Sequence, residues 1–305
     1  MIKKPRVATI ILSYNVEKDL LGCLESLEKS ATKGVTLTVI VVDNKSTDDS
    51  VVSVRNRFPQ VLLIENEENL GYAGGNNVGI RYALEQDFDF VLVINPDTIL
   101  MKNTLIELLK PFSTDKSIGM TSPKIYFAKG FEYHKEKYLK KDLGKVLWWA
   151  GGRIDWENVL TIHFGVDEVD RGRYDQALEI ETMTGTAMCV RTEVFRQVGL
   201  FDERYFLYFE ESDFCLRARK AGFKLFYVPT SRLWHKNARS SGVGSELHDY
   251  YTTRNRLLFG LSHAPLKSKI ALYKEALILM IAGRQWQKRG ILDFLLNNFG
   301  KGNYL

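Results

Sequence analysis

Four short apolar runs punctuate the first hundred residues: VATIIL (7–12), TLTVIVV (36–42), VLLIE (61–65) and FVLVI (90–94). They are rich in β-branched residues and apolar on both faces, a pattern that predicts strands in the interior of a parallel sheet. Helical spacing fills the gaps between them. EKDLLGCLESLEKS (17–30) places Leu20, Leu21, Leu24 and Leu27 on one face. STDDSVVSVRNRF (46–58) opens with cap-type and acidic residues, as a helix start does, and GGNNVGIRYALEQ (74–86) runs from glycines into a helix. Strands and helices alternating at this spacing predict βαβ units with right-handed crossovers, and hence an open α/β sheet.

The pattern changes near residue 118. IGMTSPKIYF reads as a strand with a proline-marked bend, residues 128–175 are irregular, and ALEIETMTGTAMCVR returns to extended structure. EVFRQVG is a short helix closed by Gly199. EESDFCLRARKAG (210–222) is a helix with acids first, bases last and a terminal glycine, in keeping with its dipole. FKLFYV is a further strand, and the tail from about 246 has apolar and basic residues at helical spacing. The expected organisation is one domain over 1–245, with halves 1–117 and 118–245, followed by a helical extension over 246–305. That tail is expected to pair two copies or to cover the core.

The chain has 305 residues, 45% of them hydrophobic and 26% charged, enough for a sizeable soluble core. Its net charge of +5 is compatible with anionic ligands or a membrane surface, but Lys and Arg form no block of the nucleic-acid-binding kind. Cys23, Cys189 and Cys215 are scattered without metal-ligand spacing, which points to reduced thiols and a cytoplasmic setting. The N-terminal apolar run is short and lacks a small-residue cleavage site, so no signal peptide is expected. No segment carries the roughly 20 apolar residues that span a bilayer. The nearest, ALILMIA (276–282), is expected to be a packed helix.

In an open α/β sheet, ligands bind beyond the carboxyl ends of the strands. Here that edge carries Ser13-Tyr14-Asn15, Asp43-Asn44 and Asn95-Pro96-Asp97. Asp43 can accept from a nucleobase imide or a ribose hydroxyl, or can simply start a turn. NLGYAGGNN (69–77) allows close approach of a phosphate or forms a plain tight turn. Asp97 suits a hard cation shared with a diphosphate, or else caps a helix beginning at Thr98. Glu210, Glu211 and Asp213 crowd together, which raises carboxyl pKa values and can make a general base; alternatively they are an acidic first helical turn. His235 can complete a metal site or pack structurally among aromatics.

Taken in order, SYN, VVDNKSTDDS, NLGYAGGNN, NPDT, TGTAM, GLFDERYFLYFEESDFCLR and YVPTSRLWHK resemble the family-2 glycosyltransferases with the GT-A fold. The resemblance runs from about residue 6 to 260 and is nearest to rhamnosyltransferase-like members that build bacterial surface polysaccharides. It implies a nucleotide-binding half before residue 118 and an acceptor half after it. It also implies that Asp43 recognises a pyrimidine base, that Ser13, Tyr14 and Asn15 line the nucleotide pocket, and that Gly71 and Asn76 contact ribose or diphosphate. Asn95 and Asp97 fall on the family's Asp-x-Asp motif, with Asp97 a metal ligand, joined in some members by the residue at His235. Glu211 matches the acceptor-activating carboxylate, the second acid of a Glu-Asp pair.

Two positions depart from that pattern. Asn95 replaces the first acid of Asp-x-Asp, which removes one charge from the cation site. Glu211 replaces Asp, moving the carboxylate by about 1.5 Å on standard bond lengths; Glu210 and Asp213 stay open as the base. The resemblance implies an inverting displacement assisted by Mg²⁺ or Mn²⁺, with a dTDP- or UDP-sugar donor and a glycan or lipid-linked acceptor. A lysine-rich, Trp-ended segment, KEKYLKKDLGKVLWW (135–149), suits the inner face of the plasma membrane, an acceptor flap or a plain surface loop. Two competing readings are an inactive binding paralogue and a sugar-phosphate nucleotidyltransferase. SYNVEKDL, standing where the latter needs a glycine-rich basic signature, argues against it.

Overall fold

The structure is a computed structural model that describes residues 4–236 and 244–304. The four apolar runs are strands β1 (Arg6–Ser13), β2 (Thr36–Asp43), β3 (Leu62–Glu65) and β4 (Phe90–Ile94), each within one residue of the expected ends. They pair in the order β4-β1-β2-β3, all parallel. Helices α1 (Glu17–Glu28), α2 (Ser50–Arg57) and α3 (Gly71–Glu85) connect them. Helix α2 starts four residues later than expected. The Asp43 carboxylate accepts the Ser46 N–H (2.8 Å), and Asp48 accepts from the Glu17 and Ser50 N–H groups. Such side-chain bonds offer the backbone an alternative to helix.

The second half extends the same sheet. Strand β5 (Thr98–Leu100) and helix α4 (Thr104–Thr114) lead to β6 (Ile118–Phe127). After β7 (Leu147–Trp149), the hairpin β8 (Gly152–Asp155) and β9 (Leu160–His163), and β10 (Leu178–Ile180) comes β11 (Ala187–Arg191). This strand runs antiparallel between β4 and β6 and so joins the two halves. Helices α5 (Thr192–Val198) and α6 (Glu210–Lys220) precede β12 (Lys224–His235), which lies parallel to β6 and pairs with β5 and β10. The proline-marked bend appears as a register shift: Val228 pairs with Pro123, the next pair is Arg232 with Lys124, and residues 229–231 of β12 loop out. Lys124 is wholly buried and ties the irregular stretch to the sheet through Asp170 (2.8 Å) and Asp175 (2.5 Å).

The chain ends in α7 (Glu246–His263), α8 (Leu266–Ala282) and α9 (Gln285–Leu295). The expected helical tail is therefore present, and α7 is built into the second half of the sheet domain. Leu257, Leu258 and Phe259 share a buried cluster with Tyr205, Phe209 and Leu216, and Trp156 stacks on Phe259 at 5.8 Å. One expectation fails in this region. ALILMIA is helical but not packed: Leu277, Ile278 and Ile281 are 67%, 62% and 82% exposed. Helix α8 buries only Ser268 and Leu272 fully, because α7 and α9 cover one side of it alone. No helix among the described residues is long and apolar enough to cross a membrane.

Candidate active site

Parallel pairing brings the carboxyl ends of β1, β2 and β4 to one edge, with Ser13 beside Asp43 in register. Asp43 is 2% exposed; one carboxylate oxygen holds Ser46 N–H and the other is buried without a partner. An unpaired buried acceptor is costly, so this oxygen is a natural seat for a ligand N–H. The Ser13 hydroxyl beside it is also buried and unpaired, and the Tyr14 side chain is half exposed. Asn15 sits at φ 55° and is already occupied: its side-chain oxygen accepts from Thr47 N–H (2.7 Å) and holds the loop after β2.

Gly71 meets a close approach of the downstream loop. At φ 71° its N–H donates to Asn69, and a Cβ there would strike Phe206 at 2.5 Å. The next two N–H groups of α3, from Tyr72 and Ala73, donate to the Phe206 carbonyl. The helix start is thus closed by a downstream loop. Asn76 keeps its side-chain oxygen buried and unpaired.

Asp97 is not a helix cap: Thr98 begins a strand and the next helix starts at Thr104. β5 pairs with the end of β12, opposing Thr98 to His235. Asp97 Oδ1 lies 3.1 Å from His235 Nε2, and both residues are buried. Lys236 N–H donates to the Asp97 carbonyl, and Lys236 Nζ pairs with Asp19 on α1 (2.7 Å). Trp148 packs edge-on against His235 at 4.6 Å. A carboxylate oxygen and an imidazole nitrogen this close could hold one divalent cation between them. Among the described residues no three His, Cys, Asp or Glu side chains form a complete metal cluster. A cation there would need further oxygen ligands from its substrate or water.

A second acidic centre sits at the start of α6. Phe206, Tyr208 and Phe209 all have positive φ, at 64°, 69° and 75°. Non-glycine residues take that region only when their surroundings impose it. The result presents Glu210 and Glu211 in a buried pair. Burial, and then the charge of Glu211, push the Glu210 carboxyl well above the usual range; burial pushes Glu211 up to about 7. The carboxyls share a hydrogen bond that keeps the proton on Glu210 and favours ionised Glu211. Each also has a buried oxygen without a partner. This is the arrangement of a general base poised near neutral pH.

Asp213 sits in a different setting, paired with cations. Burial disfavours its charge, but His263 Nε2 (2.7 Å) and Arg217 Nε (2.7 Å) outweigh it and hold its pKa below the ordinary value. Arg217 also bonds the Val198 and Leu200 carbonyls, so Asp213 organises the turn before the acidic loop.

The loop between Thr182 and Thr186 links the two centres. Thr186 carbonyl accepts Asn95 N–H, Gly185 carbonyl accepts the Tyr72 hydroxyl, and Met183 N–H meets Cys215 on α6. Tyr72 stands close enough to Glu210 and Glu211 for their charges to raise its own pKa, after burial as the main cause.

A scan of family models matches residues 5–256 to "Glycosyltransferase like family 2". The chain belongs to glycosyltransferase family 2. Among its relatives, the N-acetylglucosaminyl-diphospho-decaprenol L-rhamnosyltransferase of Mycobacterium tuberculosis is 28% identical over 247 residues, 78% of each chain. The dTDP-rhamnosyl transferase RfbF of Shigella flexneri is 25% identical over 271 residues, 85% of this chain and 82% of the relative. Among solved structures, GalNAc-T7 with UDP, GalNAc and Mn²⁺ aligns with a TM-score of 0.69 at 16% identity, covering 97% of this chain and 55% of its own. A mannosyltransferase of Pyrobaculum calidifontis, with GDP-Man and Mn²⁺, gives 0.55 at 17% identity, covering 97% and 75%. These likenesses establish the GT-A fold.

In this family-2 glycosyltransferase, Asn44 on the strand edge is buried and joins Asn66, Asn69 and Gly71 carbonyl. Two supporting residues carry no motif of their own. Arg254 and Asn255, wholly buried on α7, hold the strained loop. Asn255 Nδ2 donates to the carbonyls of Tyr205, Leu207 and Tyr208, and Arg254 to those of Arg204 and Tyr205. A signal existed: both lie on the helix face that carries Tyr250, Tyr251 and Leu258, where a polar pair is out of place. Asn255→Ala is expected to lower kcat about tenfold or more through displacement of Glu211, and to lower Tm. Full retention of kcat in a steady-state assay would show that the loop holds its shape unaided. The Trp pair of the 135–149 segment also differs from expectation. Trp149 is fully buried and Trp148 packs on His235, so neither offers an aromatic anchor to a membrane.

Proposed function

We propose that the chain is an inverting, cation-dependent glycosyltransferase. It moves a hexose, rhamnose first among the candidates, from a dTDP- or UDP-sugar to a hydroxyl of a glycan or lipid-linked glycan at the cytoplasmic face of a membrane. The observation that carries this reading is that the 182–186 loop bonds both to Asn95, beside Asp97, and to Cys215 on α6, the helix that opens with Glu210 and Glu211. Asp97 and His235 suit a cation; Glu211, ionisable near neutrality, suits a base. The unpaired Asp43 oxygen supports an imide N–H partner, which thymine and uracil share and which does not separate them. Rhamnose is favoured by the relatives' names.

Asp97 and His235 would hold Mg²⁺ or Mn²⁺, which when bound neutralises charge on the departing diphosphate. Glu211 takes the proton of the acceptor hydroxyl as its oxygen bonds to the anomeric carbon. The carbon–oxygen bond to diphosphate breaks in the same step, so configuration inverts and no covalent enzyme intermediate forms. Glu210 keeps its own proton and orients Glu211. The test is nucleotide release from dTDP-rhamnose, UDP-sugars and GDP-sugars with Mg²⁺, Mn²⁺ or EDTA. Cation-dependent release from a pyrimidine-nucleotide sugar is expected; equal release in EDTA, or none from any donor, would contradict the proposal.

A further inference from the structure

Helix α8 is apolar on the side that faces away from the protein. At 100° per residue, Leu266, Ile270, Tyr273, Leu277 and Ile281 fall within an arc of about 80°, and they are 48% to 82% exposed. The helix is roughly 25 Å long at 1.5 Å per residue. Helix α9 continues the patch with exposed Leu292, Leu295 and Leu296. A helix this apolar all round is normally covered on both sides.

Charge identifies the cover. Residues 264–305 hold seven Lys and Arg against two acids, a surplus equal to the net +5 of the whole chain. The remaining 263 residues are electrically balanced. Both acids of the tail are engaged: Glu275 faces inward to Arg256 (2.7 Å), and Asp293 is bonded to Tyr250 and Asn303. On the exposed face of α8, Lys267 and Lys274 flank the apolar stripe. A second copy docked by two-fold symmetry would bring two surfaces of net positive charge together. An anionic bilayer instead takes the apolar stripe among its acyl chains and the lysines at its phosphates.

We propose that α8, extended by α9, is an interfacial docking face for an anionic phospholipid membrane. It deepens the membrane-proximal reading above and assigns the contact to 266–296 in place of the 135–149 segment. Full-length protein should float with phosphatidylglycerol-rich vesicles at low salt and not with pure phosphatidylcholine vesicles. Leu277→Glu/Ile281→Glu is expected to weaken that binding about a hundredfold, and Lys267→Gln/Lys274→Gln about twentyfold at low salt. Both variants alter exposed side chains far along the chain from Asp97 and Glu211, so vesicle-free nucleotide release and Tm should be unchanged. Release in solution tests the catalytic reading separately. Failure of the unaltered protein to bind anionic vesicles, or binding indifferent to Leu277→Glu/Ile281→Glu, overturns the proposal. So does a dimer in sedimentation velocity that the same variant dissociates, since a second copy would then cover the stripe.

Discussion

Glu211→Gln is expected to reduce kcat by about 10²–10⁴-fold, the usual contribution of a positioned base, while donor binding is retained. Glu210→Gln is the contrasting case. Glu210 is held neutral by burial and by its neighbour's charge, and serves as a hydrogen-bond donor to Glu211. A glutamine amide donates equally well, so its effect should be much smaller. The pH dependence follows from the raised pKa of Glu211. Its base form appears as pH rises through about 7, so kcat should climb across that range and level off above it. The residual activity of Glu211→Gln should lack this limb. Steady-state kinetics of both variants from acid to alkaline pH measure all three effects. Equal losses in the two variants would place the base elsewhere.

The second large effect is expected at the other centre. Asp97→Asn preserves shape and hydrogen bonding but removes the only carboxylate of the Asp97–His235 pair. It should lower kcat/KM by about 10²–10³-fold, as loss of one electrostatic stabiliser does, and raise the Mn²⁺ concentration needed for half-maximal rate. His235→Ala should shift the Mn²⁺ requirement in the same direction by less, because a neutral ligand contributes less than a charged one. Mn²⁺ titrations of turnover, with calorimetry of Mn²⁺ and nucleotide binding, distinguish a cation role from a packing role. Lost binding of nucleotide in the absence of cation would indicate that Asp97 only supports the fold.

Strand positions and the polar residues at their ends were readable because parallel strands carry an unmistakable apolar texture and their carboxyl ends must lie together. That reasoning placed Ser13, Asp43 and Asp97 on one edge. It could not separate a cap from a metal ligand at Asp97, since the answer depends on β5 pairing with β12 across more than a hundred residues. The acidic cluster was legible as a cluster, but the roles within it were not. Asp213 is paired with His263, a residue fifty positions away, and Glu211 owes its pKa to burial, which the local sequence does not encode. The positive φ of Gly71 answers to a close approach of Phe206, 135 residues away, which no local pattern shows. These features rest on long-range contacts: β5 with β12, α6 with α7, and Gly71 with Phe206. The apolar ALILMIA run shows the converse: composition alone cannot distinguish a face covered by protein from one left open.

The proposed mechanism requires a cation at Asp97 and a base at Glu211 acting on opposite sides of one sugar. The most direct test is a crystal structure with Mn²⁺, the nucleotide-sugar donor and Glu211→Gln to prevent turnover. Anomalous density for Mn²⁺ within ligand distance of both Asp97 and His235, with residue 211 across the anomeric carbon from the diphosphate, is the predicted result. Mn²⁺ bound away from Asp97, or residue 211 on the diphosphate side of the sugar, would contradict it.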